Sequence, residues 1–524
     1  MDLCRRLFQK FHLLNRHRLN LVPYLLIGGG TASYYASLTI RARDPDARVL
    51  IVSDEEESPY RRSVLSKELW WYGDEKTPAS LSFQSPSSDK RRHVCYEADG
   101  FYLLPEDLDK WEHGGVALMT GTKVEKVDAE NNFVQLQDGR KIEYGKCLIA
   151  TGSIPHHKSI LEENAELKTN ISVIYDIEDY RRLHCKLEVL ANSLDDEAST
   201  SESFKNIVIL GGDILATELA YSLNRRYARG KQSKLRIFLL VNELGVLDDI
   251  LPGSLSDYCT QTLQSQGVNV LLNTKIDAFS AVSDKYGNRV RLKISQESEN
   301  SPSNSSNSLD ELLCDHLILA SGAMPAIELA KNSRLDLDSD LGGIIADEFM
   351  HVKGNVWAAG DICSFFDRIL GYRRRCTHWL HAQITGRIAG ENMTSGNKTY
   401  IHQAGPDAHF CGIGDTNAKK FNTTTVYAVD ESDLELTNDE PRAVVFYTDK
   451  ITNVIKGVLL FNVMGFGEEI ARKLIRDRKP FKETLKEYSK LFELWEVVVD
   501  SLKEDKPDKV GLNDDELLAY QRED

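Results

Sequence analysis

No Cys-x-x-Cys pair occurs in this chain of 524 residues. Its nine cysteines, Cys4, Cys95, Cys147, Cys185, Cys259, Cys314, Cys363, Cys376 and Cys411, stand far apart. That spacing excludes a zinc ribbon and a CxxC redox disulfide, signals no metal site, and leaves buried reduced thiols as the expectation. No apolar run approaches the ~18 residues of a membrane span. Positive charge is in the minority: 64 Lys and Arg face 80 Asp and Glu, a net charge of −16. A general binder of DNA phosphates carries the opposite sign.

Acid is nearly missing from residues 1–22, where only Asp2 accompanies Arg5, Arg6, Lys10, Arg16 and Arg18, with Leu3, Leu7, Phe8 and Phe11 at helical spacing. Such a segment resembles an organellar transit peptide; a disordered basic arm is the other reading. Otherwise the composition is that of a globular protein, with 41% hydrophobic and 27% charged residues. The length calls for two to four domains.

Two glycine-rich turns carry the chemistry. Residues 24–27 (YLLI) read as a short strand, Gly28-x-Gly30-x-x-Ser33 as a turn opening a helix over 31–43, and residues 48–53 (RVLIVS) as the next strand, ending at Asp54. Gly28 permits the tight turn. Gly30 lets a pyrophosphate approach N–H groups at the helix start, and Ser33 replaces the usual third Gly or Ala. Asp54 sits where an acid accepts from an adenosine ribose. Residues 354–363 (GNVWAAGDIC) add Asp361 at a strand end, where its carboxylate suits a ribityl hydroxyl of FAD; a helix N-cap is the bland alternative.

The second turn follows residues 207–210 (IVIL) and reads Gly211-Gly212-Asp213-Ile214-Leu215-Ala216, with Asn242-Glu243 ending the next strand. Residues 146–152 (KCLIATG) after the first unit and 315–322 (DHLILASG) after the second repeat one pattern, a rough internal duplication. Residues 191–203 and 295–309 are polar and read as surface insertions. Residues 443–447 and 454–461 suggest an antiparallel pair, a charged helical segment starts near Gly467, and 503–524 reads as a disordered tail.

With those residues in place, the stretches 25–32 (LLIGGGTA), 41–53 (RARDPDARVLIVS), 65–70 (LSKELW), 146–152 (KCLIATG) and 387–394 (RIAGENMT) resemble the apoptosis-inducing-factor family of glutathione-reductase-like flavoproteins. The resemblance covers roughly residues 23–400 and resumes in 440–495. It implies an α/β fold with two Rossmann-like nucleotide-binding domains, for FAD and NAD, plus a C-terminal α+β domain. The domains would be a basic arm or targeting segment (1–22), an FAD domain in two parts (23–155 and 323–399), an NAD domain (156–322), a C-terminal domain (400–500) and a tail (501–524).

The family implies flavin contacts at Gly28, Gly30, Asp54, Arg62, Lys67, Val124, Arg181, Asp361 and His378. Ser33 belongs with the same fingerprint. It implies NAD contacts in the second fingerprint, at Gly211, Gly212, Ala216, Glu243 and Gly322. Lys67, Glu218 and His378 are the catalytic candidates, with Lys67 paired to Glu218. The implied activity is NAD(P)H oxidation through FAD. The implied setting is mitochondrial, in the intermembrane space. It includes NADH-dependent homodimers, an import or respiratory-assembly partner, and relocation to the nucleus in cell death.

The chain departs from the family where Asp213 replaces a glycine. A carboxylate ~4 Å from a phosphate at an effective dielectric of ~20 is repelled by roughly 4 kcal/mol, unless its rotamer points outward. Residues 404–407, after His402-Gln403, lack the family's aromatic segment. Thr377 replaces an acid before His378, and His381 reads equally as a helix-face residue. Only residues 430–439 remain of a long acidic loop. These departures open a second reading, a flavoprotein scaffold with weak NADH use. The run Arg373-Arg374-Arg375 reads as a solvated loop, or else as a dimer or nucleic-acid surface.

Overall fold

A computed structural model describes residues 18–85, 90–98, 100–156, 167–192, 204–228, 235–284, 287–296, 310–400, 410–428, 442–463, 466–482, 484–492 and 494. The basic segment before Arg18, most of both polar insertions, residues 401–409, the acidic remnant 430–439 and the tail lie outside them. Contacts divide the chain into two units. One runs up to Ser66 and continues over Val94–Gly405; the other joins Lys67–His93 to the chain from Pro406 onward.

The first unit opens with β1 (Arg18–Ile27), α1 (Thr31–Arg43), β2 (Arg48–Val52), β3 (Gly115–Met119), a hairpin of β4 (Val124–Asp128) and β5 (Phe133–Leu136), and β6 (Lys141–Ile149). β1 starts earlier than its apolar run suggests. Arg18 and Leu19 register with Lys141 and Ile142, ahead of a shift that puts Tyr24 opposite Lys146. The nine-residue β6 presents ladder groups along its first half, and these residues satisfy them.

A second βα array follows: β7 (Ile171–Val173), α2 (Ile177–Asn192), β8 (Lys205–Leu210), α3 (Ile214–Leu223), β9 (Leu235–Leu240), α4 (Gly253–Ser265) and β10 (Asn269–Leu271). An antiparallel meander, β11 (Thr274–Asp284), β12 (Gly287–Gln296) and β13 (Asp310–Cys314), leads into β14 (His316–Leu319). The resulting sheet is entirely parallel, in the order β7-β14-β8-β9-β10. The chain then returns to the first sheet through β15 (His351–Lys353) and β16 (Val356–Ala358), completing the order β15-β16-β6-β1-β2-β3. The outward and return crossings, Ser153–Pro155 and Ala323–Pro325, pair antiparallel.

Central strands are buried on both faces, which is why they read as unbroken apolar runs rather than alternating ones. Leu25, Leu26, Leu50, Ile51, Leu148 and Ile149 have no exposed surface. Each such side chain contributes roughly 1.5–3 kcal/mol through burial. α5 (Trp379–Met393) crosses α1 closely. The sheets and crossing strands make this a doubled α/β Rossmann-like architecture.

The second unit contains the helices Glu68–Trp71 and Thr77–Ser80 with the ribbon Ser82–Gln84/Arg91–His93. It also holds an antiparallel sheet of β17 (Phe410–Gly414), β18 (Asn422–Tyr427), β19 (Ala443–Thr448) and β20 (Ile455–Phe461) in the order β17-β20-β19-β18. All six residues of β19 are buried. The helices α6 (Gly467–Arg476) and α7 (Leu485–Leu491) follow, the latter opened by a Thr484/Glu487 capping box. The antiparallel pair and the helix after Gly467 are where the sequence places them.

Two expectations change. Of the eight described cysteines only Cys147, Cys314, Cys363 and Cys411 are buried, and Cys185 is exposed. The arginine run is not a solvated loop: Arg373 and Arg374 belong to the short strand Tyr372–Arg374. Arg374 is buried against Asp367 at 3.1 Å, Arg373 donates to the carbonyls of Ala346 and Ser364, and Arg375 donates to that of Leu341. Among the described residues no helix is long and apolar enough to cross a membrane.

Candidate functional site

The first fingerprint opens onto a cavity of 970 Å³. The turn after β1 needs Gly28: its φ is +107°, and a Cβ there would lie 2.3 Å from the Ala150 carbonyl oxygen. Gly30 differs, since a Cβ on it meets nothing within 4 Å although the residue lines the cavity. Gly30 is also the N-cap of α1. No side chain caps that helix, so its first N–H donors are left for a ligand.

Gly28, Gly30, Asp54, Arg62, Val124, Arg181, Asp361 and His378, which lie as far apart in sequence as 28 and 378, line this one cavity. Arg62 is fixed on three sides. It donates to Glu55 at 2.6 Å and to the Tyr175 carbonyl at 2.6 Å, and its guanidinium lies 4.2 Å from the Tyr175 ring centre. Arg181 bonds Glu57 at 3.0 Å and also pairs with Glu178. Asp361 accepts from Ser153 at 2.9 Å, and burial pushes its carboxyl up against that hydrogen bond. His378 caps α5, its Nδ1 accepting from Leu380 N–H at 3.2 Å.

Ser33 does not line the cavity. It is fully buried on α1, and its hydroxyl has no partner among the described residues. Lys67 precedes the helix Glu68–Trp71 of the second unit. Glu218, on α3, accepts from the Ser66 hydroxyl at 2.8 Å. His381 is no surface residue: it is buried, bonds Tyr400 at 2.6 Å and stacks at a tilt against Phe365.

At the second fingerprint Gly211, Gly212, Ala216 and Glu243 gather at the ends of β8 and β9, and Gly322 follows β14. None of them lines the first cavity. The Asp213 side chain does not take the outward rotamer that would relieve the repulsion; it folds back onto the start of its own helix. Its Oδ1 accepts from Ala216 N–H at 3.0 Å and its Oδ2 from Gly322 N–H at 3.0 Å. A short acidic side chain at an N-cap reaches the exposed donors of its own helix, so the carboxylate takes up N–H groups that a phosphate would use.

Sequence reasoning missed Glu55, Tyr175, Ser153 and Trp379. The acidic run 54–57 directly after β2 signals the first. Nothing local signals Tyr175, which arrives from 113 residues beyond Arg62.

The cavity suits FAD in its parts. It has an uncapped helix N-terminus for the pyrophosphate, a carboxylate beyond β2 for a ribose, and the half-buried Asp361 carboxylate for a ribityl chain. A family model described as pyridine nucleotide-disulphide oxidoreductase matches residues 22–386. The chain is 31% identical to "Putative apoptosis-inducing factor 1, mitochondrial" of Drosophila melanogaster over 90% of its own length and 65% of that protein's. It is 29% identical to "Apoptosis-inducing factor 1, mitochondrial" of Dictyostelium discoideum, over 88% and 79% of the two lengths. The chain thus spans about two thirds of the fly relative. Among solved structures the covalent putidaredoxin reductase–putidaredoxin complex shares the fold, with a TM-score of 0.65 at 17% identity over 90% of this chain and 99% of that one. The match over well above half of the chain settles the family: this protein belongs to the pyridine nucleotide-disulphide oxidoreductases, and within them it is a flavoprotein similar to apoptosis-inducing factor.

Proposed function

We propose that the 970 Å³ cavity of the first unit holds FAD and that the protein oxidises NAD(P)H there, passing electrons to a separate acceptor. The observation that carries this reading is the convergence of the Gly28–Gly30 turn, Asp54, Arg62, Asp361 and His378 on one cavity. FAD supplies a centre that takes up two electrons as a hydride and releases them to an acceptor. The chain's own residues do the rest. The uncapped start of α1 binds the pyrophosphate, Arg62 is pre-oriented by Glu55 and Tyr175, and Asp361 accepts from the ribityl chain. Lys67, Glu218 and His378 take the catalytic roles that the family resemblance implies, with Glu218 oriented by Ser66. A mitochondrial setting, with roles in respiratory maintenance and programmed cell death and a homodimer as the assembled form, follows from the similarity to apoptosis-inducing factor.

Anaerobic mixing of the purified protein with NADH, followed through the visible flavin band, tests the reading; the expected outcome is bleaching of the band. Gly30→Glu is the matching variant. Its side chain starts in open space, so the fold is kept while the cavity is filled, and FAD is lost. A wild-type protein that takes up no FAD would overturn the assignment. The second reading, a flavoprotein scaffold, is favoured by the Asp213 carboxylate already holding Ala216 and Gly322. It is separated by the same experiment, since a scaffold keeps its flavin oxidised under NADH yet loses the colour with dithionite.

A further inference from the structure

An aromatic chain leads away from the cavity. Trp379 lines it, and the indole N–H donates to the Tyr96 hydroxyl at 2.8 Å. Thr31, also on the cavity wall, shares a 2.8 Å hydrogen bond with the same hydroxyl. The Tyr96 ring stacks on Tyr34 with centres 4.3 Å apart and planes within 2°. The chain ends on a base: Tyr34 donates its phenolic proton to Glu97 at 2.6 Å. Burial, then the Glu97 bond, pushes the Tyr34 phenol up, so it is a neutral proton donor at rest.

The charges around these rings have a direction. Arg61 lies 5.1 Å over Trp379, and Arg387 lies 5.0 Å over Tyr35, which packs edge-on to Tyr34 and Tyr96. A cation over a ring stabilises the neutral ring's electrons and opposes a positive charge on it. A carboxylate bonded to a phenol does the reverse, because an oxidised tyrosine is stable only once its proton has left. Positive charge placed on Trp379 is therefore driven off it, disfavoured at Tyr35, and drawn to Tyr34.

We propose that Trp379, Tyr96 and Tyr34 form a one-electron relay that carries oxidising equivalents out of the cavity to the Tyr34–Glu97 pair. The oxidant is a one-electron oxidant in the cavity, of which photoexcited FAD is the accessible example. It gains one electron from Trp379, which is refilled through Tyr96 from Tyr34. The Tyr34 O–H bond breaks, its proton passes to the Glu97 carboxylate, and a neutral tyrosyl radical remains. The proposal rests on FAD occupying this cavity.

The test uses the FAD-loaded full chain, with flavin content measured first by absorbance. Laser excitation of the bound flavin should yield a neutral tyrosyl radical band in transient absorption. Tyr34→Phe should remove that long-lived band, and Glu97→Gln should shorten its lifetime several-fold. Trp379→Phe should lengthen the flavin fluorescence lifetime several-fold. Tyr34→Phe and Glu97→Gln keep shape, so they decide the matter even if Trp379→Phe fails to fold. A radical band unchanged in both of those variants, or a flavin lifetime unchanged in folded Trp379→Phe, overturns the relay. A wild-type protein without FAD overturns the cavity assignment itself, and the relay with it.

Discussion

At the scale of single residues, the two fingerprints differ by what sits at the helix start. Gly30 leaves α1 without a side-chain cap, whereas Asp213 caps α3 and reaches across to Gly322. A phosphate entering the second site meets a like charge that already holds two of its donors. Asp213→Gly should free both and remove the charge. NADH affinity should tighten by ~1–3 kcal/mol, roughly ten- to a hundredfold, below the full like-charge limit because the carboxylate can swing partly into water. The cost to α3 should be small, a few tenths of a kcal/mol, since glycine is itself a tolerated N-cap. Asp213→Asn keeps the cap and loses the charge, so it should recover part of the gain. The NADH dependence of flavin reduction measures all three proteins. If it is the same in each, Asp213 is not what limits the site.

At the scale of elements, the seat of the cavity depends on how closely α1 and α5 approach. A Cβ on Gly386 would lie 2.3 Å from the Ala32 carbonyl oxygen, and one on Gly390 2.7 Å from that of Ala36. α5 also starts with His378 and Trp379 on the cavity wall, so forcing the helices apart moves that wall. Gly386→Val should destabilise the first unit by about 1–3 kcal/mol through overpacking and lower FAD retention in parallel. Gly253→Ala is the control: it has open space and starts α4, so its melting temperature should hold or rise slightly. Thermal unfolding with flavin release as the signal separates the two. The strands, the turns and the repeated strand-to-glycine exits were legible because glycine and apolar runs act locally. The α1–α5 crossing was not, since its glycines sit in an ordinary helical stretch and acquire meaning only opposite Ala32 and Ala36. For the same reason Asp213 was legible as an oddity but its bond to Gly322, 109 residues away, was not, and neither were Tyr175 and Trp379 on the cavity wall.

At the scale of the whole molecule, buried histidines set the response to acid. His316 and His381 lie in the first unit with almost no exposed surface, and burial pushes each down to about 3. Each stays neutral in the folded chain and takes up a proton on unfolding below its ordinary value near 6.5. The unfolded state therefore binds more protons between about pH 3 and pH 6.5, and stability rises with pH across that window. Each histidine adds a slope of up to ~1.4 kcal/mol per pH unit. Asp179 and Asp361 act the other way. Burial raises both carboxyls, so what they contribute is present below the unfolded carboxylate value and lost as pH rises. The total slope mixes the two signs, and the difference between variants isolates one. His381→Asn should lower stability at pH 7, where the Tyr400 contact is lost, but lose progressively less further stability than wild type as pH falls from 6.5 to 4. Urea unfolding at several pH values, read through release of the flavin, gives that difference directly. Parallel curves for the two proteins would mean that His381 takes up its proton in the folded chain as readily as in the unfolded one.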